Sequence, residues 1–412
     1  MARNALILVE GNTTGTGLLY VEAAQRLGLH PITLSTDTAQ YDHLATENLD
    51  AIRVDTDDID ALIRECSRLR EIYHIAGITC AREAFYATVA KLCQHFDLPG
   101  PDPLSIERCC NKFAQRQALA EAGIPVPAFR LAANATNAER AAAEIGLPVI
   151  VKPAVGVGSS GVRLCRNIEE VTEHAAYLLG GGHVWRSEPR ILVEEFANGP
   201  YYCADLMGHE IVALSAGEFG PQPHFVFSEL TCPAMLSAPE FERIAEISRS
   251  SLRTLGLDWG PSCIELRLTK IGPIVIEVNP RLAGSPNPQL IQLAYGVDLI
   301  TEHIKLAIGD EWNVRKTHSL AAGARILLPD RDGVLDRIDG VDQAVDVSGV
   351  AEVKFYNRPP TPIVRRGDHR DWMGYVIAVS PTSAETEAAL QRAVELIDWS
   401  ISPIPSVGEI EH

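Results

Sequence analysis

Short apolar stretches alternate with helical stretches over residues 1–104, and this alternation constrains the fold more than any other feature of the sequence. The apolar stretches predict four strands, ALILVE, PITLST, DAIRVD and EIYHIAG. A Gly-Asn-Thr-Thr-Gly-Thr-Gly turn follows the first strand, and the next helix is expected to end near Gly28. Such alternation is typical of a parallel sheet covered by helices. We therefore expect an N-terminal α/β domain over residues 1–104, ending in a Pro/Gly-rich linker from Leu98 to Pro103.

The rest of the chain is predicted to form a central unit and a C-terminal unit, both of which mix helices with strands. The central unit covers residues 105–319. It opens with one helix from Ser105 to Ala122, because Ser105 can cap the first turn and Gly123 can end the last one. Residues 320–412 form the α+β C-terminal unit.

The middle of the central unit is rich in strands. One helix is expected near residues 168–179, with Asn167 as its cap, and the capping-box pattern Ser237-Ala-Pro-Glu240 opens another helix that ends near Gly256. The predicted strands around these helices read LPVIVKP, GVRLC, ILVEEF, YYCADLM and EIVALSAGEF.

Composition and charge exclude several classes of function. Hydrophobic residues make up 46% of the chain, so a sizeable core is expected, yet no apolar run reaches the roughly 18 residues that a membrane span needs. The formal charge of −18 opposes binding to nucleic acid and to anionic membranes. The nine cysteines are scattered and form no C-x-x-C pair, which argues against a disulfide framework and a structural zinc site. The N-terminal segment is interpreted as a strand rather than a secretion signal, so a cytoplasmic location is expected.

A β-hairpin is predicted within residues 261–281, PSCIELRLTKIGPIVIEVNPR. Two apolar strands flank Lys270-Ile271-Gly272, and a three-residue hairpin loop favours glycine at its last position. Thr269 then faces Pro273, and this first pair sets the register of the hairpin.

That register places two carboxylates, Glu265 and Glu277, opposite each other, and the two-residue period of a strand adds Asn279 and Arg281 to the same face. Carboxylates about 5 Å apart repel each other unless a cation neutralises them. Mg²⁺ takes oxygen ligands from carboxylates, amides and phosphates. The hairpin therefore predicts a magnesium site, and the alternative is a pair of solvated glutamates on an edge strand.

A loop of glycine and serine residues follows a predicted strand that carries Lys152. Glycines let backbone N–H groups approach phosphate oxygens, and serine hydroxyls add further donors. The spacing is not that of a P-loop, and no helix follows the loop directly, so an ordinary β-turn is the alternative. The residues that would face phosphate are Gly156, Gly158, Ser159, Ser160 and Gly161.

Two further features are charged: the end of one predicted strand and one predicted helix. The strand ILVEEF ends in the adjacent residues Glu194, Glu195 and Phe196 before an Asn-Gly turn, and Lys112 lies in the helix that precedes the strand-rich region. Taken alone, the glutamates are interpreted as a solvated strand end and Lys112 as an exposed helix lysine.

Taken together and in order, these features resemble the ATP-grasp superfamily. Lys112 precedes Ala122-Gly-Ile-Pro-Val-Pro127, and VIVKP, the small-residue loop, VEEF, the carboxylate hairpin and E-V-N-P-R follow in turn. The resemblance covers roughly residues 5–310. It implies a Rossmann-like N-terminal domain and a two-lobed ATP-grasp unit whose lid lobe covers about 147–215. Within the superfamily, the chain is similar to carboxylate–amine ligases, especially the L-amino acid (dipeptide) ligases and related antibiotic amide synthetases.

The resemblance also implies a role for each candidate residue. ATP would be the nucleotide, with one or two Mg²⁺ ions that Mn²⁺ could replace. The phosphates would be contacted by Lys112 and Lys152, and residues 156–161 would form a mobile lid over them. Adenine would be held by Glu194, Glu195 and the backbone through Phe196. The metal ligands would be Glu265, Glu277 and Asn279, and Arg281 would lie near the γ-phosphate.

The implied reaction converts a carboxylate into an acyl phosphate that an amine then attacks. Phosphoryl transfer needs in-line positioning and charge neutralisation more than covalent participation by the protein. Mg²⁺, two lysines and an arginine would supply that neutralisation. The substrates would be amino acids or their derivatives, selected by loops around Pro221–Pro233 and Gly284–Gln289, and the apolar content is compatible with a homodimer.

One position departs from the family pattern, and two alternatives remain open. Tyr201 stands where the family often has a glutamate that binds ribose. An ATP-grasp carboxylase or a formate-transferring purine enzyme would use the same core. An NAD-dependent oxidoreductase would explain the N-terminal glycines, although Gly11, Gly15 and Gly17 do not fit G-x-G-x-x-G and Asp37 is the nearest acidic residue at the expected distance.

Overall fold

The N-terminal residues form the predicted parallel sheet. A computed structural model describes residues 3–11, 16–41, 44, 49–183 and 188–403, so most of the turn after the first strand, residues 12–15, lies outside the described residues. The elements are β1 (Asn4–Val9), α1 (Thr16–Arg26), β2 (His30–Ser35), β3 (Asp50–Arg53), α2 (Ile59–Arg70), β4 (His74–Thr79) and α3 (Tyr86–Phe96). Their strands pair in the order β3-β2-β1-β4, and every pairing is parallel.

The helix predicted from Ser105 to Ala122 is instead two helices, α4 (Pro103–Cys110) and α5 (Lys112–Glu121). The first is capped by Asp102, whose side chain accepts a hydrogen bond from the backbone N–H of Ser105 at 2.8 Å. Asn111 interrupts the helix in an extended conformation, and its side chain caps the second helix. Asparagine is a strong N-cap residue, so Asn111 can end one helix and start the next. A search for amphipathic periodicity does not detect such a cap. The consequence of the break is that Lys112 becomes the first residue of a helix.

A four-stranded antiparallel sheet, here called the lid lobe, has its own core. It contains β5 (Phe129–Ala132), α6 (Ala135–Ile145), β6 (Val149–Pro153), β7 (Arg163–Cys165), α7 (Ile168–Tyr177) and β8 (Ile191–Glu195). The strand order is β5-β8-β6-β7, and Asn167 caps α7 as predicted. The buried core residues of this lobe run from Ala132 to Val193. The lobe is therefore shifted toward the N-terminus relative to the 147–215 expected, because the next strand belongs to another sheet.

An eight-stranded antiparallel sheet forms the centre of the molecule. Its first part contains β9 (Tyr201–Met207), β10 (Glu210–Phe219), β11 (Phe227–Cys232), α8 (Ala238–Leu255), β12 (Pro261–Thr269), β13 (Gly272–Asn279), α9 (Asn287–Tyr295) and α10 (Leu299–Ala307). The capping box of Ser237 with Glu240 and the left-handed Gly256 bound α8 as the sequence predicts. β11 lies inside the expected specificity loop Pro221–Pro233, so that segment is partly strand.

The C-terminal region completes the same sheet. It contains β14 (Ala321–Leu327), β15 (Gly333–Asp339), α11 (Val341–Val345), β16 (Val350–Phe355), β17 (Thr361–Ile363), β18 (Gly374–Ser380), α12 (Ser383–Leu396) and β19 (Asp398–Ser402). The large sheet has the order β13-β12-β9-β10-β11-β14-β18-β16, while β17, β15 and β19 form a small sheet of their own. Hydrogen bonding between β11 and β14 thus joins the C-terminal region to the central unit. Among the described residues, none of the helices combines the length and apolarity needed to cross a bilayer.

The hairpin of β12 and β13 has the predicted facing carboxylates but not the predicted turn. Thr269 pairs with Gly272 rather than with Pro273, so the loop contains only Lys270 and Ile271. A β-bulge between Glu265 and Leu266 adds one residue to β13 and restores the register, so that Glu265 faces Glu277. The turn prediction is wrong and the facing pair is confirmed, because the bulge offsets the shorter loop by one residue.

Candidate nucleotide and metal site

A cleft of about 600 Å³ is lined by the lid lobe, the large sheet, the N-terminal domain and a segment of the C-terminal region. It collects nearly all of the residues singled out in the sequence. Gly161 does not line it. The predicted residues that do are Lys112, Lys152, Gly156, Gly158, Ser159, Ser160, Glu194, Glu195, Phe196, Glu265, Glu277, Asn279 and Arg281.

Lys152 and Glu194 form a buried ion pair in the lid lobe. Lys152 lies at the end of β6, and its Nζ is 2.5 Å from Oε2 of Glu194 on the neighbouring strand β8. Burial lowers the pKa of Lys152, although the charge of Glu194 opposes that shift. Burial alone would raise the pKa of Glu194, but Arg116 and Lys152 outweigh it and the pKa is lowered. Glu194 is therefore ionised and buried. The solvated strand end that the local sequence alone indicated is wrong for this residue.

Arg116 completes this network, and the sequence analysis missed it. Its Nε donates to Oε1 of Glu194 at 2.6 Å, and its Nη2 donates to the backbone carbonyl of Ile276, the extra residue in the β13 bulge. The side chain is completely buried. The available signal was the four-residue spacing from Lys112, which places both cations on one face of α5.

Lys112 is oriented into the cleft by the start of α5. Its backbone N–H donates to the carbonyl of Ala154 at 3.0 Å. Its Nζ donates to the carbonyl of Gly156 at 2.7 Å and lies 2.7 Å from Oε1 of Glu277. Lys112 is 7% exposed, so it is not the exposed helix lysine that the local sequence alone indicated. It connects the small-residue loop to the carboxylate hairpin.

The facing glutamates of the hairpin are electrostatically unequal. Burial and the charge of Glu277 raise the pKa of Glu265 to about 7. Burial opposes ionisation of Glu277 as well, but Lys112 and Lys152 lower its pKa. Asn279 donates to Oε1 of Glu265 at 3.3 Å, and its own Oδ1 accepts from Arg281 at 3.3 Å. The carboxylate and amide oxygens are the donor type that Mg²⁺ requires, so the residues fit that ion.

The small-residue loop is fastened to the C-terminal region. Gly158 and Ser159 have φ angles of 62° and 61°, a left-handed conformation that glycine adopts without steric cost. The carbonyl of Gly158 accepts from the backbone N–H of His369 at 3.2 Å and from Nδ1 of its ring at 3.0 Å. Arg370 donates to the hydroxyl of Ser160 at 3.4 Å. Residues more than two hundred positions apart meet here, and nothing in the linear sequence indicated this contact.

Tyr201 belongs to an aromatic cluster rather than to a polar ribose site. Its ring packs edge-on against Phe219 and Phe227, with centroids 5.2 Å away in both cases, and the guanidinium of Arg267 lies 5.7 Å from its centroid. Burial, followed by the charge of Glu265, raises the pKa of Tyr201 far above its ordinary value. The phenol is therefore neutral, so it carries no charge at the position where the family pattern has an acidic residue.

Comparison with known families agrees with this architecture. The family described as the ATP binding domain of the carbamoyl-phosphate synthase L chain matches residues 111–314. The ATP-grasp N-terminal domain matches residues 21–100, and the second C-terminal domain of L-amino acid ligases matches residues 325–402. Together these matches cover strands β2 to β4 of the N-terminal sheet, both lobes around the cleft and most of the C-terminal region.

Individual proteins give the same result. An uncharacterized protein of Sinorhizobium fredii, y4rH, is 57% identical over 410 residues, which cover 100% of this chain and 86% of the relative. The L-arginine-specific L-amino acid ligase of Bacillus subtilis is 21% identical over 342 residues, 81% of this chain and 82% of the ligase. The crystal structure of an L-amino acid ligase from Bacillus licheniformis superimposes with a TM-score of 0.80 at 19% identity, covering 98% of this chain and 100% of the other.

The fold and the cleft are those of enzymes that use ATP to join two molecules. The chain belongs to the ATP-grasp family of ATP-dependent ligases, and its C-terminal region matches that of the L-amino acid ligases.

Proposed function

We propose that this chain activates a carboxylate as an acyl phosphate and joins it to an amine, with release of ADP and phosphate. The observation that carries the proposal is the meeting of Lys112 and Lys152 with the facing pair of Glu265 and Glu277 in one cleft. Cations for phosphate and oxygen donors for a divalent metal are the parts that phosphoryl transfer needs.

We assign each residue a role from its position. Lys112 and Lys152 neutralise the phosphates of ATP, and Arg116 holds Glu194 so that Lys152 keeps its place. The backbone at the end of β8, from Glu195 to Phe196, holds the adenine edge. The oxygens of Glu265, Glu277 and Asn279 hold one or two Mg²⁺ ions, which when bound neutralise the charge that develops on the phosphates.

The residues of this chain would act by position and charge. Arg281, fixed against Asn279 and the carbonyl of Leu282, neutralises the transferred phosphoryl group and the acyl phosphate made from it. The small-residue loop covers the phosphates and excludes water, which would otherwise hydrolyse the acyl phosphate. The amine then attacks the acyl carbon, the C–O bond to phosphate breaks, and solvent takes the ammonium proton.

Amino acids or their derivatives are the substrates that we propose for both half-reactions. The support is the match of the C-terminal region to L-amino acid ligases and the amino acid ligase with the same fold. Pairs of amino acids are to be tested for phosphate release with ATP and Mg²⁺, with bicarbonate and formate as separate acids. Release that requires one particular acid and one amine supports the ligase. Release with bicarbonate or formate alone would assign the chain to the carboxylase or formate-transferring alternative.

We further propose a division into an N-terminal domain over residues 1–104, an ATP-grasp domain over 105–319 and a C-terminal domain over 320–412. The lid lobe within the second is the four-stranded sheet and its two helices. Because β14 and β18 extend the central sheet, we expect the C-terminal domain to unfold together with the ATP-grasp domain rather than separately.

ADP and inorganic phosphate are the expected nucleotide products, with no AMP or pyrophosphate. The reason is that the proposed cations and metal ligands surround a transferred γ-phosphoryl group. Chromatography of the spent nucleotide measures the ratio of ADP to AMP. AMP as the main product would show that the carboxylate is activated as an adenylate and would overturn the acyl-phosphate mechanism.

The loop over residues 155–161 is expected to exchange its amide hydrogens quickly without nucleotide and more slowly with a non-hydrolysable ATP analogue. Its glycines and serines make few side-chain contacts, so its position depends on the nucleotide and on the hydrogen bonds from His369 and Arg370. In His369→Ala the ring's hydrogen bond is lost, and exchange without nucleotide should become faster still. Hydrogen exchange measured by mass spectrometry tests both changes.

The matched control for the lid is His318→Ala, because the His318 ring also lies within hydrogen-bond distance of a backbone carbonyl, that of Leu293. This variant should leave exchange in residues 155–161 unchanged. Equal protection of the loop with and without the analogue would remove the lid role, whatever the variants show.

A further inference from the structure

Two cysteines and an aspartate meet at the base of the cleft. Cys203 on β9 is paired with Glu265, and Asp205, two residues further along the same face, is paired with Cys263 on β12. Both cysteines line the cleft, and all three side chains are buried. Their ligand atoms lie within 4.8 Å of one another. This group, the Cys203–Asp205–Cys263 cluster, is adjacent to the carboxylate hairpin and has no role in the proposed reaction.

The separation of the two sulfurs lies between that of a disulfide and that of two ligands of one metal ion. The Sγ atoms of Cys203 and Cys263 are 2.9 Å apart. A disulfide requires about 2.05 Å. Two sulfurs that share a tetrahedral zinc ion, each about 2.3 Å from it, lie about 3.8 Å apart. Side-chain rotations that move the sulfurs by less than about 1 Å would reach either state, so the thiols alone do not choose between them.

Asp205 decides in favour of a cation. Its Oδ2 accepts hydrogen bonds from Nδ2 of Asn287 at 2.7 Å and from the thiol of Cys203 at 3.6 Å. Its Oδ1 is buried and has no hydrogen-bond partner among the described residues, and the same holds for Oδ1 of Asn287. An unsatisfied buried acceptor costs about 1–3 kcal/mol. A disulfide would leave Oδ1 of Asp205 unsatisfied, whereas a cation held by the two sulfurs would also bind the carboxylate of Asp205, which Asn287 orients.

We propose that Cys203, Cys263 and Asp205 bind one thiophilic divalent cation of the zinc class. Thiolate ligands select such ions, whereas the oxygen-only donors of the hairpin suit Mg²⁺, so the two sites take different metals. Binding forms two metal–sulfur bonds and one metal–oxygen bond, and the two thiol protons go to solvent. Both cysteines line the cleft, so an ion could reach them from it. Sixty residues separate the cysteines, so no short sequence motif could have revealed the site.

Titration of the reduced protein with Co²⁺ tests the site without any substrate. The wild-type chain should bind one equivalent, with a sulfur-to-cobalt charge-transfer band in the near ultraviolet and tetrahedral bands in the visible. Cys203→Ser and Cys263→Ser should each remove the charge-transfer intensity at one equivalent. Asn287→Ala should keep the bands but weaken affinity by about 10–100-fold, the usual effect of losing a group that orients a metal ligand.

Cys165→Ser is the matched control, because Cys165 is a buried cysteine in the lid lobe, away from the cluster. It should bind Co²⁺ as the wild type does. If a cluster variant does not fold, zinc protection of the wild type replaces it: Zn²⁺ should slow alkylation of Cys203 and Cys263, mapped by mass spectrometry, and not of Cys165. Absence of binding by the reduced wild type, or a Cys203–Cys263 disulfide as its resting state, overturns the proposal. Turnover with Mg²⁺ and ATP is measured separately, so the ligase function and the cation site are tested independently of each other.

Discussion

Lys152→Ala is expected to lower kcat/KM by roughly 10²–10³-fold, the range for the loss of one group that stabilises transition-state charge. The reason is that Lys152 is 4% exposed and stands at the end of β6, where its ammonium group faces the proposed phosphate position. In this water-poor site no solvent dipole replaces the missing charge. Steady-state kinetics at saturating Mg²⁺ measure the change.

The same substitution should also lower stability. A lysine that only lined a cleft would be dispensable for folding, but Lys152 is ion-paired with the buried Glu194. Breaking a buried pair costs about 3–5 kcal/mol when the remaining charge has no partner. Here Arg116 still neutralises Glu194, so we expect a loss below that range, seen as a lower Tm. Lys91→Ala, which removes an exposed ion pair with Glu107, should change neither quantity. Near-wild-type turnover by folded Lys152→Ala would show that the nucleotide is misplaced.

The second large effect concerns the hairpin carboxylates. Glu265→Gln and Glu277→Gln should both weaken Mg²⁺-dependent turnover strongly, because an amide does not replace the attraction of a carboxylate for a divalent ion. From the facing pair alone, both substitutions would be expected to stabilise the metal-free protein, since like charges opposite each other are destabilising. The ion pair between Lys112 and Glu277 changes that expectation for one of them.

Glu265→Gln should raise the Tm of the chelator-treated protein, because it removes the repulsion by Glu277 and the burial of a charge. Glu277→Gln should lower it, because Lys112 would lose a partner 2.7 Å away in a buried position. Thermal melts with chelator, together with turnover titrated with Mg²⁺, separate the two variants. Glu352→Gln, on strand β16 of the C-terminal region, is the control for loss of a strand carboxylate away from the hairpin. If neither variant changes Tm or the Mg²⁺ requirement, the facing pair binds no metal.

The sequence predicted most elements of the site because each depends on local patterns. β9 and β10 match the predicted runs YYCADLM and EIVALSAGEF residue for residue, since short apolar runs bounded by tight turns define strands over short distances. The facing of Glu265 and Glu277 was predicted from a three-residue turn, and it holds because the shorter turn and the bulge offset each other. A bulge has no reliable signature in one sequence, because its geometry depends on what packs against it. Here the carbonyl of the bulge residue Ile276 accepts from Arg116.

Contacts between distant segments could not be predicted from the sequence. The network of Arg116, Glu194 and Lys152 joins three elements. Glu194 is ionised because the two cations outweigh the effect of its burial, and no linear pattern reports that pairing. The contact of His369 with Gly158 and the approach of Cys203 to Cys263 likewise arise only when separate strands and loops are brought together.

The sequence by itself determined the order of strands and helices, the ATP-grasp resemblance and the residues that we propose to contact phosphate and metal. These properties follow from residue type and short-range periodicity. The tertiary structure alone decided that Lys112 starts a helix beside Glu277, that the C-terminal region extends the central sheet, and that the glycine loop is held by His369. The physical reason is that burial and charge pairing depend on distances across the fold, and these distances are set by packing of the whole chain rather than by any one segment.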